Sequence, residues 1–535
     1  MKRKINSCIN TFVAILLFLT VWPCCSHKNK DSTPHNYLRI GTVCRVKSKN
    51  ILFDHVLDTF TLVSHPPLLT LNNHGEISGL LGEHFTVSED FTRWTFYIKE
   101  NYFWSDGVPV TPEDVKFSLE YIGRHVPSRR WLEKALVRAE VLSAKAVVLT
   151  FNKPYTRLDI EFTSFPIIPR HVWQKVDRPR FYSGPGKYVG CGPLVISRID
   201  LNAGCLLLKK NPFWKGMPPA IDGVKIHMYQ NLDVLSLALE RGDIDTYYKY
   251  ADTYPYTNIQ RLTATGKFRL KKNKTSGLTF LGFNLRREPG ANLYFRQAVA
   301  LAINCEEIIK LITSGYGEFP NQGFIPSGML YYDVLPKLRQ NLKEAKALLA
   351  NAGYRDSNRD GILENPEGDV LTLILLSTPS QNRLCELIAE YLGRLGLEVE
   401  VKIVDSATWI SMKEEYEYDI TITRTTPWGM LMHAGWGTGY FDSRRTGEGV
   451  LHTVSDPAFL NLCDSILATR DPDKLKAYAH SLQQYYTRYL PAVALFQHVI
   501  VTPYNKAFSG WHQDPLFGIF NITNFLNLKR VHELQ

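Results

Sequence analysis

Between Tyr418 and Tyr440 the sequence reads as a short strand running into a loop rich in glycine and aromatic residues, the stretch best equipped to hold a small molecule. Arg424 and Thr425 end the strand, and Trp428, His433, Trp436 and Tyr440 follow in the loop. A guanidinium presents paired donors that match a carboxylate. No carboxylate lies between Asp419 and Asp442, so the segment suits the acid end of a ligand better than its amine. The indole and phenol rings offer apolar walls. Met430, Met432 and His433 form a Met-x-Met-His cluster whose thioether and imidazole donors suit a late transition metal or its chelate, with His433 the candidate direct ligand. Methionine and tryptophan also fill cores, so each of these groups has a packing role as its alternative.

A second metal-like pattern is Asp356, Asn358, Asp360, Gly361 and Glu367, which match the calcium-loop spacing D-x-[DN]-x-[DN]-G-x5-E. That loop needs a helix on both sides. Here Pro366, Gly368 and the apolar run Leu371 to Leu376 follow instead, and a turn closed by its own Asp and Asn side chains is the competing expectation. Catalytic signatures are missing: there is no Gly-x-Ser-x-Gly elbow, no His-Glu-x-x-His pair, no phosphate-cradling glycine loop and no Cys-x-x-Cys. The expectation is a binding protein that needs no cofactor, with a peptide hydrolase of dispersed residues as the alternative from another class.

These groups need a frame, and 535 residues exceed what one compact core holds, so two or more lobes are expected. No period of 20 to 50 residues recurs, which excludes solenoids and propellers. Trp94 to Lys99 alternates as a strand, Asp106-Gly107 supplies a turn, and Thr111-Pro112-Glu113-Asp114 caps a helix carrying Val115, Phe117, Leu119 and Ile122. Helices are expected from Phe295 to Asn304, from Leu342 to Ala352 and from Asn382 to Leu395, the last between strands Leu371 to Leu376 and Leu397 to Val404. The texture is mixed α/β. The basic stretch Lys271 to Gly277 separates two such regions and is the candidate first hinge crossing.

The amino terminus opens with Met1-Lys2-Arg3-Lys4, an apolar stretch from Phe12 to Trp22, and Pro23-Cys24-Cys25-Ser26. This is the pattern of an export signal over residues 1–25, with a polar tether over 26–36. As a helix the apolar part rises about 17 Å, short of a bilayer core of about 30 Å. Cysteine just after such a stretch resembles the bacterial lipoprotein signal, which makes Cys24 or Cys25 the expected lipidation site, although Trp22 and Pro23 stand where that signal has small residues. The other cysteines are scattered, and the net charge of +10 is spread along the chain without basic runs interleaved with aromatics, so nucleic acid is not an expected partner.

From Trp94 to Ile122 the string Trp-Thr-Phe-Tyr-Ile-Lys-Glu-Asn-Tyr-Phe-Trp-Ser-Asp-Gly-Val-Pro-Val-Thr-Pro-Glu-Asp resembles the signature block of bacterial extracellular solute-binding proteins of family 5, which include oligopeptide, dipeptide and nickel receptors. Pro166 to Trp173, Gly190-Cys-Gly-Pro193, Asn211 to Gly216, Leu239 to Asp245, Gly282 to Asn284, Phe295 to Ala298, Ala352 to Tyr354 and Tyr418-Asp419 follow in the family's order. Cys191 replaces a threonine, and Asn304 an aspartate, which touches a local helix cap.

The resemblance implies an α/β, two-lobed periplasmic-binding-protein-like fold (type II, class C) that closes on its ligand about a hinge. Lobe I would comprise residues 37–272 and 490–535, with a subdomain inserted at 66–175, and lobe II residues 273–489. Trp104, Asp106 and Gly107 would shape the inserted subdomain. The implied function is the extracytoplasmic substrate-binding component of an ABC importer, capturing peptides for a membrane permease. Nickel or another metal chelate is the alternative ligand. The same resemblance places the protein, as a monomer, in the periplasm or on the outer face of a bacterial membrane, held by a lipid anchor.

Overall fold

The computed structural model describes residues 36–54, 58–71, 76–249, 252–274, 277–425, 440–444, 451, 453–512 and 519–531. The export segment with Cys24 and Cys25, and the loop residues Trp428, His433 and Trp436, lie outside the described residues.

The chain enters on β1 (Tyr37–Thr42) and then leaves its sheet for a long excursion. A pair of short strands, β2 (Leu69–Leu71) and β3 (Ile77–Gly79), leads into β4 (Gly82–Val87), β5 (Arg93–Ile98), β6 (Leu136–Ser143) and β7 (Ala146–Phe151). The last four form a sheet ordered β4-β5-β7-β6. The alternation seen at Trp94 and Phe96 drives this: both are fully buried, on the face that also holds Val147 and Leu149. The helix Pro112–His125 begins at a capping box between Thr111 and Asp114. Asp114 is buried and accepts from Trp104 Nε1 at 3.3 Å and from Arg170 N at 2.8 Å, while Gly107 turns at φ 88°. Trp104 is therefore a core residue that fixes a turn.

Strands β8 (Leu194–Asp200), β9 (Cys205–Lys210), β10 (Gly223–Met228), β11 (Thr246–Tyr247) and β12 (Phe268–Asn273) rejoin β1 in the first large sheet. The chain then crosses to β13 (Leu278–Phe283), β14 (Thr372–Ser377), β15 (Glu398–Ile403), β16 (Ile420–Arg424) and β17 (Ala492–Gln497), ordered β15-β14-β16-β13-β17. It returns on β18 (Ile500–Asn505), giving a seven-stranded sheet ordered β12-β18-β11-β1-β10-β9-β8.

The first crossing runs from the end of β12 at Asn273 to the start of β13 at Leu278. The return crossing lies between Gln497 and Ile500 and not at 490, because β17 pairs with β13 and so belongs to the second sheet. The two crossings touch: His498 N donates to Gly277 O at 3.2 Å, and the Gln497 side chain donates to the Lys274 carbonyl.

Two buried charges tie neighbouring segments together. Asp245 accepts from Arg39 Nε at 2.9 Å, Arg39 Nη2 at 2.7 Å and Asn505 Nδ2 at 3.1 Å, which ties β1, the start of β11 and β18 together. Arg296 is buried in the helix Leu293–Ala302 and donates to the carbonyls of Leu490, Gly290, Ala291 and Tyr489 at 2.7–3.1 Å. It thereby satisfies acceptors that the end of the helix Pro472–Tyr489 leaves without helical partners. Asn304 keeps its capping role, accepting from Glu307 N at 3.0 Å. The six described cysteines form no disulfide with one another, and four of them are buried. Among the described residues, no helix is long and apolar enough to cross a membrane.

Candidate ligand site where the two sheets meet

Strand β1 runs parallel to β10 and β11, and β14 runs parallel to β15 and β16. Open parallel sheets place ligands beyond the carboxyl ends of their strands. Beyond β11 the chain presents Lys249 and Asp252, and β16 ends at Arg424. These ends approach each other. Arg424 Nη1 stands 3.8 Å from Asp252 Oδ1, with the two side chains 37% and 24% exposed, so the pair is open to solvent and to a solute. Lys249 Nζ contacts the other carboxylate oxygen, and Thr253 N donates to Asp252 Oδ1 at 2.9 Å. The cluster thus holds two cations around one carboxylate, drawn from both sheets.

Beneath it, in the return crossing, His498 Nε2 meets Thr279 Oγ1 at 2.5 Å, and its ring lies 4.8 Å from that of Phe496. Burial pushes this imidazole down to about 4, Arg424 adds to the effect and Asp252 opposes it. At neutral pH the ring is uncharged and does not compete with Arg424 for Asp252.

Of the residues expected to touch ligand, Arg424 stands at this junction. Thr425 is buried and locks β16 to β13: its Oγ1 accepts from Leu278 N at 2.7 Å and its N donates to Leu278 O at 2.9 Å. Tyr440 is 8% exposed and packs edge-on against Phe280, ring centres 6.3 Å apart, in a core shared with Phe324 and Phe441. Lys249, Asp252 and His498 were not among the expected residues. The end of a short strand just after the Leu239 to Asp245 block is the signal that would have pointed to Asp252.

The Asp356 loop takes the closed-turn form. Asp356 Oδ2 accepts from Gly361 N at 3.1 Å, Asn358 Oδ1 from Asp360 N at 2.9 Å and Asp360 Oδ1 from Ile362 N at 2.8 Å. Glu364, not Glu367, turns back on the loop, accepting from Ser357 N at 2.7 Å, and Glu367 is exposed. With these oxygens spent on backbone amides, the expected calcium cage does not assemble. Among the described residues no three His, Cys, Asp or Glu side chains gather as a metal site.

A second contact joins the inserted subdomain to the lobe built on the second sheet. Arg470 donates to the Thr156 carbonyl and to Asp159 Oδ2, both at 2.6 Å, and lies 5.1 Å from the Trp94 ring centre. The Thr156 hydroxyl donates to the Leu467 carbonyl.

The chain is similar in sequence and fold to known proteins. Residues 76–446 match the family described as bacterial extracellular solute-binding proteins, family 5 Middle. The probable peptide-binding protein YejA of Agrobacterium fabrum is 23% identical over 466 residues, covering 76% of this chain and 74% of its own. The nickel-binding periplasmic protein of Escherichia coli is 22% identical over 392 residues, 70% of each chain. NikA from Brucella suis, solved in complex with Fe(III)-EDTA, superposes with a TM-score of 0.80 at 17% identity over 92% of this chain and 100% of that one. The chain belongs to the bacterial extracellular solute-binding proteins of family 5.

Proposed function

We propose that this protein is the extracytoplasmic solute receptor of an ABC importer and that it captures peptides for delivery to a membrane permease. One observation carries the choice of peptide: Asp252 stands between Lys249 and Arg424 at the junction of the two sheets. A carboxylate there is the partner an α-ammonium needs, and it comes from the first sheet, where the acid-free loop after β16 gave no hint of it. Arg424 and Lys249 then donate to the carbonyl groups that follow the amino end of the ligand. The remaining peptide backbone is held by main-chain hydrogen bonds of the strand-addition kind. Closure about the two crossings encloses the peptide, and the role ends in release without covalent chemistry. The family and the relative named as peptide-binding support this reading. The amino-terminal sequence extends it to a protein exported and tethered by lipid at Cys24 or Cys25, and the family resemblance to a monomer.

A metal chelate is the second reading, favoured by the Fe(III)-EDTA complex of NikA and by the two cations of the cluster. Asp252 opposes it, because an anionic chelate meets a carboxylate at the point where an amine would be welcome.

A thermal-shift and calorimetry panel separates the two, since a ligand present at 100 times its Kd stabilises the folded state by about 2.7 kcal/mol. Pools of tri- to pentapeptides with free amino ends are expected to raise the Tm, and N-acetylated pools to do so far less. Asp252→Asn is expected to abolish that preference. A shift produced only by Ni2+ with histidine or citrate would overturn the peptide assignment.

A further inference from the structure

Arg157 is a group at the contact between the inserted subdomain and the second lobe that this function leaves unexplained. It immediately precedes the short helix Leu158–Glu161, and its side chain is 19% exposed. Its Nε is buried with no hydrogen-bond partner among the described residues. The carboxylate that faces it, Asp159, stands 3.8 Å from Nε, beyond hydrogen-bond reach, and is already committed to Arg470 Nη2 at 2.6 Å and Ile160 N at 3.1 Å. Arg470 itself is engaged on Asp159, on the Thr156 carbonyl and over the Trp94 ring. Two guanidinium groups therefore share one carboxylate, and the one left without a hydrogen bond at Nε is Arg157.

A half-buried arginine in this state carries a cost that an acceptor would relieve, and a planar fork of donors selects a carboxylate. Tyr331, whose carbonyl accepts from Gln483 Nε2 at 2.7 Å, sits at φ 63°, a backbone region that a tyrosine adopts only where its surroundings impose it. A guanidinium short of acceptors, at a seam between parts that close on a solute, has the donor chemistry to take the acidic end of that solute.

We propose that Arg157 is a ligand-binding residue that receives a carboxylate of the bound solute, the C-terminal carboxylate in the case of a peptide. This rests on the receptor reading above and assigns the end of the ligand opposite to the one held at Asp252. Arg470 and Asp159 position the seam.

The test uses the full mature chain with two matched pools of tri- to pentapeptides, one of free C-terminal acids and one of C-terminal amides, together with nickel citrate. The unmodified protein is expected to bind the acid pool at least tenfold more tightly than the amide pool. Arg157→Ala is expected to bring the two pools within twofold, and Arg157→Lys to keep part of the preference. Arg470→Ala is expected to weaken both pools by the same factor. Equal binding of acids and amides by the unmodified protein overturns the proposal without any variant, as does a preference unchanged in Arg157→Ala. If peptides fail and nickel citrate binds, the peptide reading is lost while the role of Arg157 stands or falls on whether Arg157→Ala weakens nickel citrate. If nothing binds, both are lost.

Discussion

Replacing Arg470 with alanine removes a charge-assisted contact between the inserted subdomain and the second lobe. Two charge-assisted hydrogen bonds of 2.6 Å disappear, along with a cation–π contact at 5.1 Å from the Trp94 ring. Asp159, whose side chain is 5% exposed, is left with Ile160 N at 3.1 Å and Arg157 at 3.8 Å. Breaking a fully buried pair costs about 3–5 kcal/mol, whereas exposed pairs contribute at most about 1 kcal/mol. Arg470 is 26% exposed, which places this pair between those limits, at about 2–3 kcal/mol. Because the contact exists only while the two parts are apposed, its loss weighs on ligand retention. At about 1.4 kcal/mol per tenfold, the dissociation rate of a bound peptide should rise about 30- to 150-fold. Stopped-flow tryptophan fluorescence with an excess of competing ligand measures that rate, and the melting curve of the unliganded protein confirms that the variant is folded. A folded variant whose release rate stays within twofold of the unmodified protein refutes the argument, since the seam would then be static packing.

Stability should fall with acid in a defined window. Burial holds both His65 and His498 down to about 4 from an ordinary value of 6.5, so the unfolded chain binds more protons than the folded one between those limits. Unfolding free energy is therefore lost as pH drops from 6.5 towards 4, by roughly 3 kcal/mol for each histidine. Urea titrations at several pH values check this, and a flat profile across the window would contradict it. Gly277→Ala should loosen the first crossing, because a Cβ there would stand 2.1 Å from the Thr425 carbonyl oxygen at a φ of 35°. A Tm lowered by several degrees with ligand affinity also reduced is the expected result, read by scanning calorimetry and titration.

Much of the frame was legible in the residues. The Trp94 to Ile122 block and the helices near 295, 342 and 382 stand where the periodicity and caps place them, because each is fixed by local pattern. The return crossing was misplaced for a physical reason. Ala492 to Gln497 are buried at every position, so no alternation of side chains tells which of the two sheets they enter. The ligand cluster was only half visible. Arg424 drew notice through its loop, but Asp252 precedes it by more than half of the second lobe, and their meeting is a product of sheet order alone. The calcium spacing misled because hydrogen bonds to nearby amides compete for the same oxygens that a cation would use.

The two crossings, tied to each other by His498 N on Gly277 O, also limit how the lobes can move. A pair of short antiparallel links bends about the line that joins them more readily than it slides or twists, so opening is expected to have in effect one degree of freedom. A one-coordinate equilibrium is summarised by a single constant. Changes at the seam, at the crossings and at the ligand cluster should then combine as simple products of their separate effects on that constant, however far apart the residues lie.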